Sequence, residues 1–439
     1  MARVEGRVYR SGQFVIAGGE PRPLRMGYDA HLDGRAVVCR LARELPAEAA
    51  DLMEIAAMAY AADRLVPRPG ERAMLDGSGW GRRLWLKVPV RSPGLWNSVA
   101  ERLAGLLGWL THDDWDLDFC QLAGGAGPLD EPQGFLFDTV PAGSAPALFS
   151  GGLDSALGLA HDLQDGDSIA ISVHTNYRMR SVQQRVIREL TKDPARSCTH
   201  LQYRVSLHER DRENSQRTRG LLFLAAGIAT AWGLGQDRLR AYENGVGAIN
   251  LPSLRSQYGP QATRSMHPRT LWLAEGLASA ISGQPFRIEA PFLRSTKAEA
   301  LRAVPEIETS AIAATVSCDT GFAARVPGHI QCGACTSCLL RRQSLHASGR
   351  PGADAATSYR TRSPAATDSF KAMAWQLERL RDALGMQDPW HGLVSEFPPI
   401  LDVSPLAPAE VIRLYRAYVQ EWDAVEHIFG LRRHDRSAA

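Results

Sequence analysis

Residues 147–158, which read Ala-Leu-Phe-Ser-Gly-Gly-Leu-Asp-Ser-Ala-Leu-Gly, constrain the fold more than any other stretch of the chain. An apolar run predicts a buried strand, two glycines predict a tight loop, and apolar residues at helical spacing then predict a helix. Glycines let a backbone approach a ligand closely, and a helix N-terminus presents unpaired N–H groups. An ordinary strand-to-helix turn is the alternative. The hydroxyls of Ser150 and Ser155 beside Asp154 favour a site for an oxyanion such as phosphate.

The glycine loop at 150–155 lacks the Gly-x4-Gly-Lys-Ser/Thr pattern of Walker loops, which disfavours a kinase or a GTPase. Its Ser-Gly-Gly-x-Asp-Ser pattern resembles the pyrophosphate loop (PP-loop) of the ATP pyrophosphatase superfamily. In that superfamily ATP donates AMP to a substrate oxygen and pyrophosphate leaves, so the resemblance implies adenylation. The residues that would then contact ATP are Phe149, Ser150, Gly151, Gly152, Leu153, Asp154 and Ser155.

Strands and helices alternate after the loop, which predicts an α/β fold with a parallel sheet. The predicted strands are 168–174, 198–205, 239–242 and 286–290, and the predicted helices include 181–190, 221–234 and 271–281. Parallel sheets of this kind bind ligands at the carboxyl ends of their strands. Ser150, His174, Glu243 and Pro291 each follow a predicted strand on that edge.

Three regions are predicted along the 439 residues. Residues 1–140 are predicted to form an N-terminal α+β domain, residues 141–346 the PP-loop domain, and residues 347–439 a linker followed by C-terminal helices. Amphipathic stripes predict the last helices near 370–385 and 408–425, and we expect both to pack on the core. Carboxylates gather near Asp63 and at 113–116. Solvated turns or helix starts are favoured there over a metal site or an acid–base pair.

Charge and hydropathy exclude several classes of protein. A formal net charge of +2 gives no global field that would attract nucleic acid. Residues 175–220 carry eleven Lys or Arg against five Asp or Glu. Few aromatics are interleaved there, so arginines around a triphosphate explain part of this excess as well as nucleic acid does. With no apolar run of membrane-span length and no signal-peptide core at the start, a cytoplasmic protein without structural disulfides is expected.

Four cysteines follow the pattern Cys318-x13-Cys332-x2-Cys335-x2-Cys338. Four thiolates suit a closed tetrahedral Zn²⁺ site of the structural kind, which is the favoured interpretation. An iron–sulfur cluster uses similar spacing, a redox Cys-x-x-Cys pair would leave two thiols unexplained, and His329 could replace one sulfur. The remaining cysteines lie in apolar contexts and are predicted core residues: Cys39, Cys120 and Cys198.

The PP-loop and the cysteine set together resemble the 7-cyano-7-deazaguanine synthase family, known as QueC, over residues 146–346. The resemblance implies a fold like that of the adenine nucleotide alpha hydrolases. It implies catalytic roles for Asp154, Lys297 and Arg219, and an ATP contact for Arg178. The cysteines would bind zinc. The residues assigned to substrate binding are Arg217, Glu243, Asn244 and Arg341.

QueC enzymes adenylate the carboxylate of 7-carboxy-7-deazaguanine, let ammonia displace AMP to give an amide, and dehydrate that amide to the nitrile with a second ATP. The resemblance therefore implies ATP, Mg²⁺ and Zn²⁺ as cofactors and a 7-deazaguanine-type acid as substrate. Three features depart from the housekeeping enzyme. Residues 245–252 lack its acidic recognition stretch, the gap from Cys318 to Cys332 is longer, and the N-terminal region and the tail are additional.

Long chains of this layout resemble the QueC-like proteins of bacterial anti-phage operons, both the QatC type and those of type IV CBASS. That resemblance implies that the acyl-adenylate is passed to an amine of a partner protein from the same operon. Two other functions stay open. One is a PP-loop enzyme that thiolates tRNA, for which Cys198 is the isolated candidate thiol. The other is a nucleotide-binding scaffold without catalysis.

Overall fold

The strands and helices are taken from a computed structural model. The residues that it describes are 11–16, 22–27, 29–41, 45–68, 81–123, 129–130, 140, 145–208, 213–253, 263–319, 331–364 and 367–429. The strands within them are β1 (Ser11–Ile16), β2 (Arg22–Arg25), β3 (Ala30–Asp33), β4 (Arg83–Val90), β5 (Asp114–Gln121), β6 (Pro146–Leu148), β7 (Ser168–His174), β8 (Cys198–Leu207), β9 (Arg238–Arg240) and β10 (Arg287–Glu289).

The helices, again in chain order, alternate with these strands and then continue alone. They are α1 (Arg35–Arg40), α2 (Ala47–Leu65), α3 (Pro93–Thr111), α4 (Leu153–Asp162), α5 (Tyr177–Leu190), α6 (Arg219–Gly233), α7 (Gly245–Ile249), α8 (Pro268–Ser282), α9 (Lys297–Ala303), α10 (Thr309–Ala314), α11 (Thr336–Ala347), α12 (Pro351–Ala356), α13 (Asp368–Gly385), α14 (Pro389–Glu396) and α15 (Pro408–Val425).

A six-stranded sheet with the order β10-β9-β6-β7-β8-β3 forms the centre of the fold. Strands β6 to β10 run parallel to their neighbours, and β3 is antiparallel at one edge. All seven residues of β7 are buried, as expected for a central parallel strand. The predicted parallel α/β sheet is confirmed for β6 to β10, and the antiparallel strand β3 makes the whole sheet mostly parallel. The strand order reverses between β6 and β9, which opens a crevice at the carboxyl ends of these two strands.

A second sheet, with the order β2-β1-β4-β5, comes from the N-terminal region together with α2 and α3. Strand β1 is antiparallel to both of its neighbours, and β4 is parallel to β5. However, β3 from the same region joins the central sheet, and α2 packs against α6 in one shared apolar core. The domain boundaries near 140 and 346 stay predictions, and the regions on the two sides of the first boundary are packed together.

A buried ionic cluster connects the N-terminal region to the start of α6. Arg82 Nη2 lies 2.6 Å from Asp63 Oδ1 and 2.6 Å from Asp113 Oδ2. Arg68 Nη1 lies 2.7 Å from Asp113 Oδ1. The other oxygen of Asp63 accepts the backbone N–H of Thr218, directly before α6, at 3.1 Å. The expectation of solvated turns at Asp63 and Asp113 is wrong, because partners distant in the sequence bury both carboxylates.

Helices α13, α14 and α15 form a C-terminal group that packs on α7 and α11. The amphipathic helices predicted in the tail are confirmed as α13 and α15. Part of the predicted linker instead forms α12, and Arg350, directly before this helix, donates to the backbone carbonyl of Ile307 at 2.9 Å, which holds the segment on the core. Among the described helices, none combines the length and the apolar character needed to cross a bilayer.

Candidate functional site

The loop between β6 and α4 has the geometry of an anion site. Gly151 has a φ of +83°, a conformation that residues with side chains rarely adopt. The N–H of Gly152 donates to Ser150 Oγ at 3.2 Å, and Ser155 Oγ lies 3.1 Å from that same oxygen. The first bond within α4 is donated by Ala156, so the preceding N–H groups have no partner inside the helix. These donors and the positive end of the helix dipole favour a phosphate.

A chain of charged and polar side chains crosses the crevice beside this loop. Asp154, in the first turn of α4, accepts the side-chain N–H of Asn244 at 3.0 Å and pairs through its other oxygen with Lys297 Nζ. Lys297 opens α9, whose start is fixed by a capping box of Thr296 and Glu299. Asn244 follows β9 and caps α7 with its side-chain oxygen. Three separate elements therefore bring these groups to one place.

Glu243 extends the same chain, because its Oε1 accepts the side-chain N–H of Asn244 at 3.0 Å. Burial, and next the charge of Asp154, raise the pKa of Glu243 to about 8, while Lys297 acts in the opposite direction. Gly247 leaves the space that Glu243 occupies, since a Cβ at Gly247 would lie 2.5 Å from Glu243 Oε1. A carboxyl group with a pKa near neutrality is suited to moving a proton during a reaction.

Asp154, Glu243 and Lys297 line one cavity of about 480 Å³, a volume typical of small-molecule sites, while Asn244 is fully buried and lies outside the lining. Arg219, the first residue of α6, adds a second cation to Lys297, and burial lowers the pKa of its guanidinium. Two cations and a glycine loop make the cavity suited to a polyphosphate. The predicted site residues that line it are Ser150, Gly152, Leu153, Asp154, Ser155, Arg219, Glu243 and Lys297.

Three residues that the sequence assigned to ATP lie outside the cavity lining. Phe149 is buried in the core, and its N–H continues the sheet by donating to the carbonyl of Ile171 at 2.7 Å. Gly151 shapes the loop through its backbone. Arg178 is exposed in the first turn of α5. Direct contact of these residues with ATP stays a prediction.

Two arginines assigned to substrate also lie outside the lining. Arg341 is fully buried in α11 and donates to Thr315 Oγ1 at 2.5 Å and to the carbonyl of Ile312 at 2.7 Å. Arg217 lies beside the buried ionic cluster, where Asp63 accepts its backbone N–H at 3.0 Å. Both arrangements hold the chain around the cavity, and their predicted contact with substrate stays a prediction.

Several cavity residues were not identified as site residues from the sequence. Ser317 and Asp319, which flank Cys318, line it, and four more come from the C-terminal helices. Most of the latter belong to apolar stripes, which show that a helix face is buried but not what the face covers. Only the folded chain shows that this face reaches the cavity. The four residues from the C-terminal helices are Met373, Gln376, Tyr415 and Tyr418.

The four cysteines form a compact group whose sulfurs all lie within 4.8 Å of one another. The Sγ atoms of Cys332 and Cys338 are 3.9 Å apart, as are those of Cys335 and Cys318. A tetrahedral Zn²⁺ with Zn–S bonds of about 2.3 Å needs sulfurs roughly 3.8 Å apart, so the group fits zinc. His329, the alternative ligand, lies outside the described residues.

A glycine loop at the switch point of a parallel sheet, with two cations beside it, is characteristic of nucleotide-binding α/β proteins. Residues 268–349 match the family model of the queuosine biosynthesis protein QueC. The matched segment contains Lys297 and the four cysteines, while the loop at 150–155 lies outside it. No curated protein matches the chain significantly. The match supports a QueC-like relationship and an ATP-dependent enzyme of the PP-loop kind.

Proposed function

We propose that this protein is an ATP-dependent ligase that adenylates the carboxylate of 7-carboxy-7-deazaguanine or a related acid. The acyl group then passes to ammonia or to an amine. The observation that carries the proposal is the Asp154–Lys297 pair, which joins the PP-loop to a segment that matches the QueC family model. A cytoplasmic location is part of the proposal, and direct binding of nucleic acid is not favoured.

The first step activates a carboxylate, which is a poor acyl donor until one oxygen leaves as AMP. A carboxylate oxygen attacks the α-phosphorus of ATP, the bond to the bridging oxygen of the β-phosphate breaks, and pyrophosphate leaves. The loop N–H groups, Lys297 and Arg219 would stabilise the charge on the departing pyrophosphate. Both oxygens of Asp154 are engaged, by Asn244 and by Lys297, so Asp154 positions these groups and is not a nucleophile.

The second step forms the new C–N bond. The amine nitrogen attacks the acyl carbon, the carbon–oxygen bond to AMP breaks, and the nitrogen loses a proton. At a pH near its pKa of about 8, Glu243 is ionised in part of the molecules, and this ionised form would accept the proton. The Mg²⁺ that the resemblance implies would accompany ATP. Asp319 lines the cavity and would supply a carboxylate oxygen of the kind that suits such a hard cation.

Release of AMP and pyrophosphate on mixing the protein with ATP, 7-carboxy-7-deazaguanine and an ammonium salt tests the proposal. Lys297→Ala should reduce the rate at least about a hundredfold, because it removes a charge next to the leaving group. Lys192→Ala, at an exposed lysine after α5, should leave the rate unchanged. No AMP from the wild-type protein with this acid, with or without proteins encoded beside its gene, would contradict the proposal.

For the acceptor, we propose an amine of a partner protein from the same operon, in anti-phage defence. The support is the resemblance to long QueC-like chains alone. Intact-mass analysis of the co-encoded proteins, in cells with and without this gene, is the direct test. A mass increase that matches a deazaguanine acyl group would support transfer to protein, whereas a free amide or nitrile would indicate ammonia as acceptor.

The two alternatives have less support. A thiolating enzyme needs a reactive thiol at the nucleotide, but Cys198 lies outside the cavity lining and burial raises its pKa to about 12. A scaffold without catalysis would bind ATP and release neither AMP nor pyrophosphate. The connected polar chain from Glu243 through Asp154 to Lys297 favours catalysis over this scaffold.

A further inference from the structure

The cavity has a second wall, which the C-terminal helices supply. Met373 and Gln376 reach it from α13, and Tyr415 and Tyr418 reach it from α15. The PP-loop and the matched family segment contain none of these residues. The wall therefore comes from the C-terminal helices, which have no part in the adenylation chemistry proposed above.

This wall is fixed to the rest of the site by close contacts. A Cβ at Gly245 would lie 2.7 Å from Leu414 Cδ2, so a glycine is needed where α15 meets α7. Gln376 donates to the carbonyls of Leu251 and Pro252 at 2.7 and 3.1 Å, which holds α13 to the chain after α7. Both helices are thus set against the element that follows Glu243.

Helix α15 is also tied to α9, the helix that Lys297 opens. Thr296 Oγ1 donates to Glu421 Oε1 at 2.6 Å, and Arg413 Nη1 lies 2.7 Å from Glu299 Oε1. The same helix therefore contacts both the lysine-bearing element and the element beside Glu243. A surface held at both ends in this way has the fixed position that a binding wall requires.

Tyr415 carries an unused hydrogen-bonding group in this wall. Its side chain is only 1% exposed, and its hydroxyl has no hydrogen-bond partner among the described residues. Burial raises the pKa of Tyr415 well above its ordinary value, so the hydroxyl keeps its proton and can donate. Buried polar groups nearly always have partners, so an unpartnered one that lines a cavity points to a ligand.

Two aromatic rings and a thioether form most of the rest of the wall. The ring of Tyr418 stands almost perpendicular to that of Tyr415, at 81° with centroids 6.4 Å apart, and Met373 lies beside them in the lining. Aromatic faces and a thioether pack well on planar rings. The combination of such faces with one hydroxyl donor suits a planar heterocycle that carries an acceptor on its edge.

Resting on the proposed function, we propose that this wall holds the heterocyclic ring of the acid, with the Tyr415 hydroxyl donating to a ring carbonyl or ring nitrogen. The adenine of ATP is the competing occupant. The amine nitrogen attacks the acyl carbon and loses its proton there to Glu243. The acid therefore binds on the side of the cavity that Glu243 lines. Helix α7 begins two residues after Glu243 and is the element against which the wall is packed. The proposed substrate class is therefore a carboxylic acid on a planar nitrogen heterocycle.

Calorimetric binding to the full-length protein tests this assignment, with 7-carboxy-7-deazaguanine and α,β-methylene ATP as separate probes. Tyr415→Phe removes one oxygen and keeps the ring. We expect it to weaken binding of the acid about tenfold and to leave binding of the ATP analogue unchanged. Tyr359→Phe is the control, because Tyr359 is a buried tyrosine outside the cavity lining.

Equal loss of acid binding in both variants, or no loss in Tyr415→Phe, overturns the assignment. Weaker binding of the ATP analogue alone also overturns it and places adenine on the wall. So does failure of the wild-type protein to bind the acid.

If the wild type forms AMP but Tyr415→Phe binds the acid normally, the proposed function stands and the ring site falls. If Tyr415→Phe weakens acid binding but the wild type forms no AMP, the ring site stands and the adenylation falls.

Discussion

Glu243 retains its proton at pH values where an exposed glutamate is ionised. Burial, together with the charge of Asp154, opposes a further negative charge in the cavity. The pKa is about 8 in the fold, against an ordinary value of 4.5. Between these two values the unfolded chain has released the proton and the folded chain has kept it. The folded state therefore loses stability as the pH rises through this window, and the loss is constant above pH 8.

Glu243→Gln should remove this pH dependence, because the amide stays neutral throughout. The free energy of unfolding of the variant, relative to the wild type, should rise from pH 5 to pH 8. Urea unfolding at both pH values measures this difference. Glu101→Gln, at an exposed site on α3, should follow the wild type at both pH values. A constant difference between Glu243→Gln and the wild type would show that Glu243 is ionised in the fold.

At the scale of elements, the contact of α7 with α15 depends on Gly245. A Cβ there would lie 2.2 Å from the carbonyl oxygen of Leu293 as well as 2.7 Å from Leu414. The first neighbour is backbone and cannot rotate away. The small residues after Asn244 thus have a packing reason, since they let the C-terminal helix approach the cavity.

Gly245→Ala should destabilise the fold by about 1–3 kcal/mol, because either α15 or the chain at Leu293 must shift. Gly276→Ala is the matched control, since Gly276 lies within α8 with nothing within 4 Å of a new Cβ. That control should stabilise the protein by about 0.5–1 kcal/mol through helix propensity. Thermal unfolding of both variants measures the difference, and equal midpoints would contradict the packing argument.

The ionic cluster at the start of α6 is a second contact between elements. Asp63 accepts from Arg82 and from the backbone of Thr218. Asp63→Asn should cost about 3–5 kcal/mol, because it leaves two buried arginines with one carboxylate. Asp116→Asn, at an exposed position on β5, should cost almost nothing. Chemical denaturation measures both effects. A small effect of Asp63→Asn would mean that the cluster is solvated in solution.

For the whole molecule, the four-cysteine group lies between the α/β core and the C-terminal helices. Cys318 precedes the undescribed segment, and the other three cysteines lead into α11, on which α15 packs. A metal there would therefore couple the chain before α11 to the C-terminal wall of the cavity. The coupling predicts that zinc loss affects the fold beyond the site itself.

Removal of zinc with a strong chelator should lower the unfolding midpoint by about 5 °C or more, and added Zn²⁺ should restore it. Cys338→Ser should reproduce the loss and reduce the zinc content measured by mass spectrometry. Cys120→Ser, on β5 and far from the group in the sequence, should keep both the zinc and the midpoint. A full-length protein that contains no zinc and is insensitive to chelation would exclude a structural metal.

Local patterns predicted much of this protein. The glycines and hydroxyls at 150–155 predicted the loop, the alternation of apolar runs and helical stripes predicted the parallel sheet, and the spacing of four cysteines predicted their grouping. These features depend on neighbours within a few residues or on fixed ligand spacing, so the sequence displays them directly. Asp63 and Tyr415 are two of the exceptions. Local patterns placed the first in a solvated turn and the second in an ordinary core stripe.

The sequence by itself determined which elements form and which residues of the loop and the cysteine group are equipped for chemistry. The tertiary structure alone decided which of these elements and residues contact one another. Asp154 meets Lys297 across 143 positions of the chain, and Tyr415 reaches a cavity whose loop lies far earlier in the sequence. Burial and charge pairing depend on distance in space. Neither an apolar helix stripe nor a lone carboxylate indicates, from its own sequence, which distant residue it will contact.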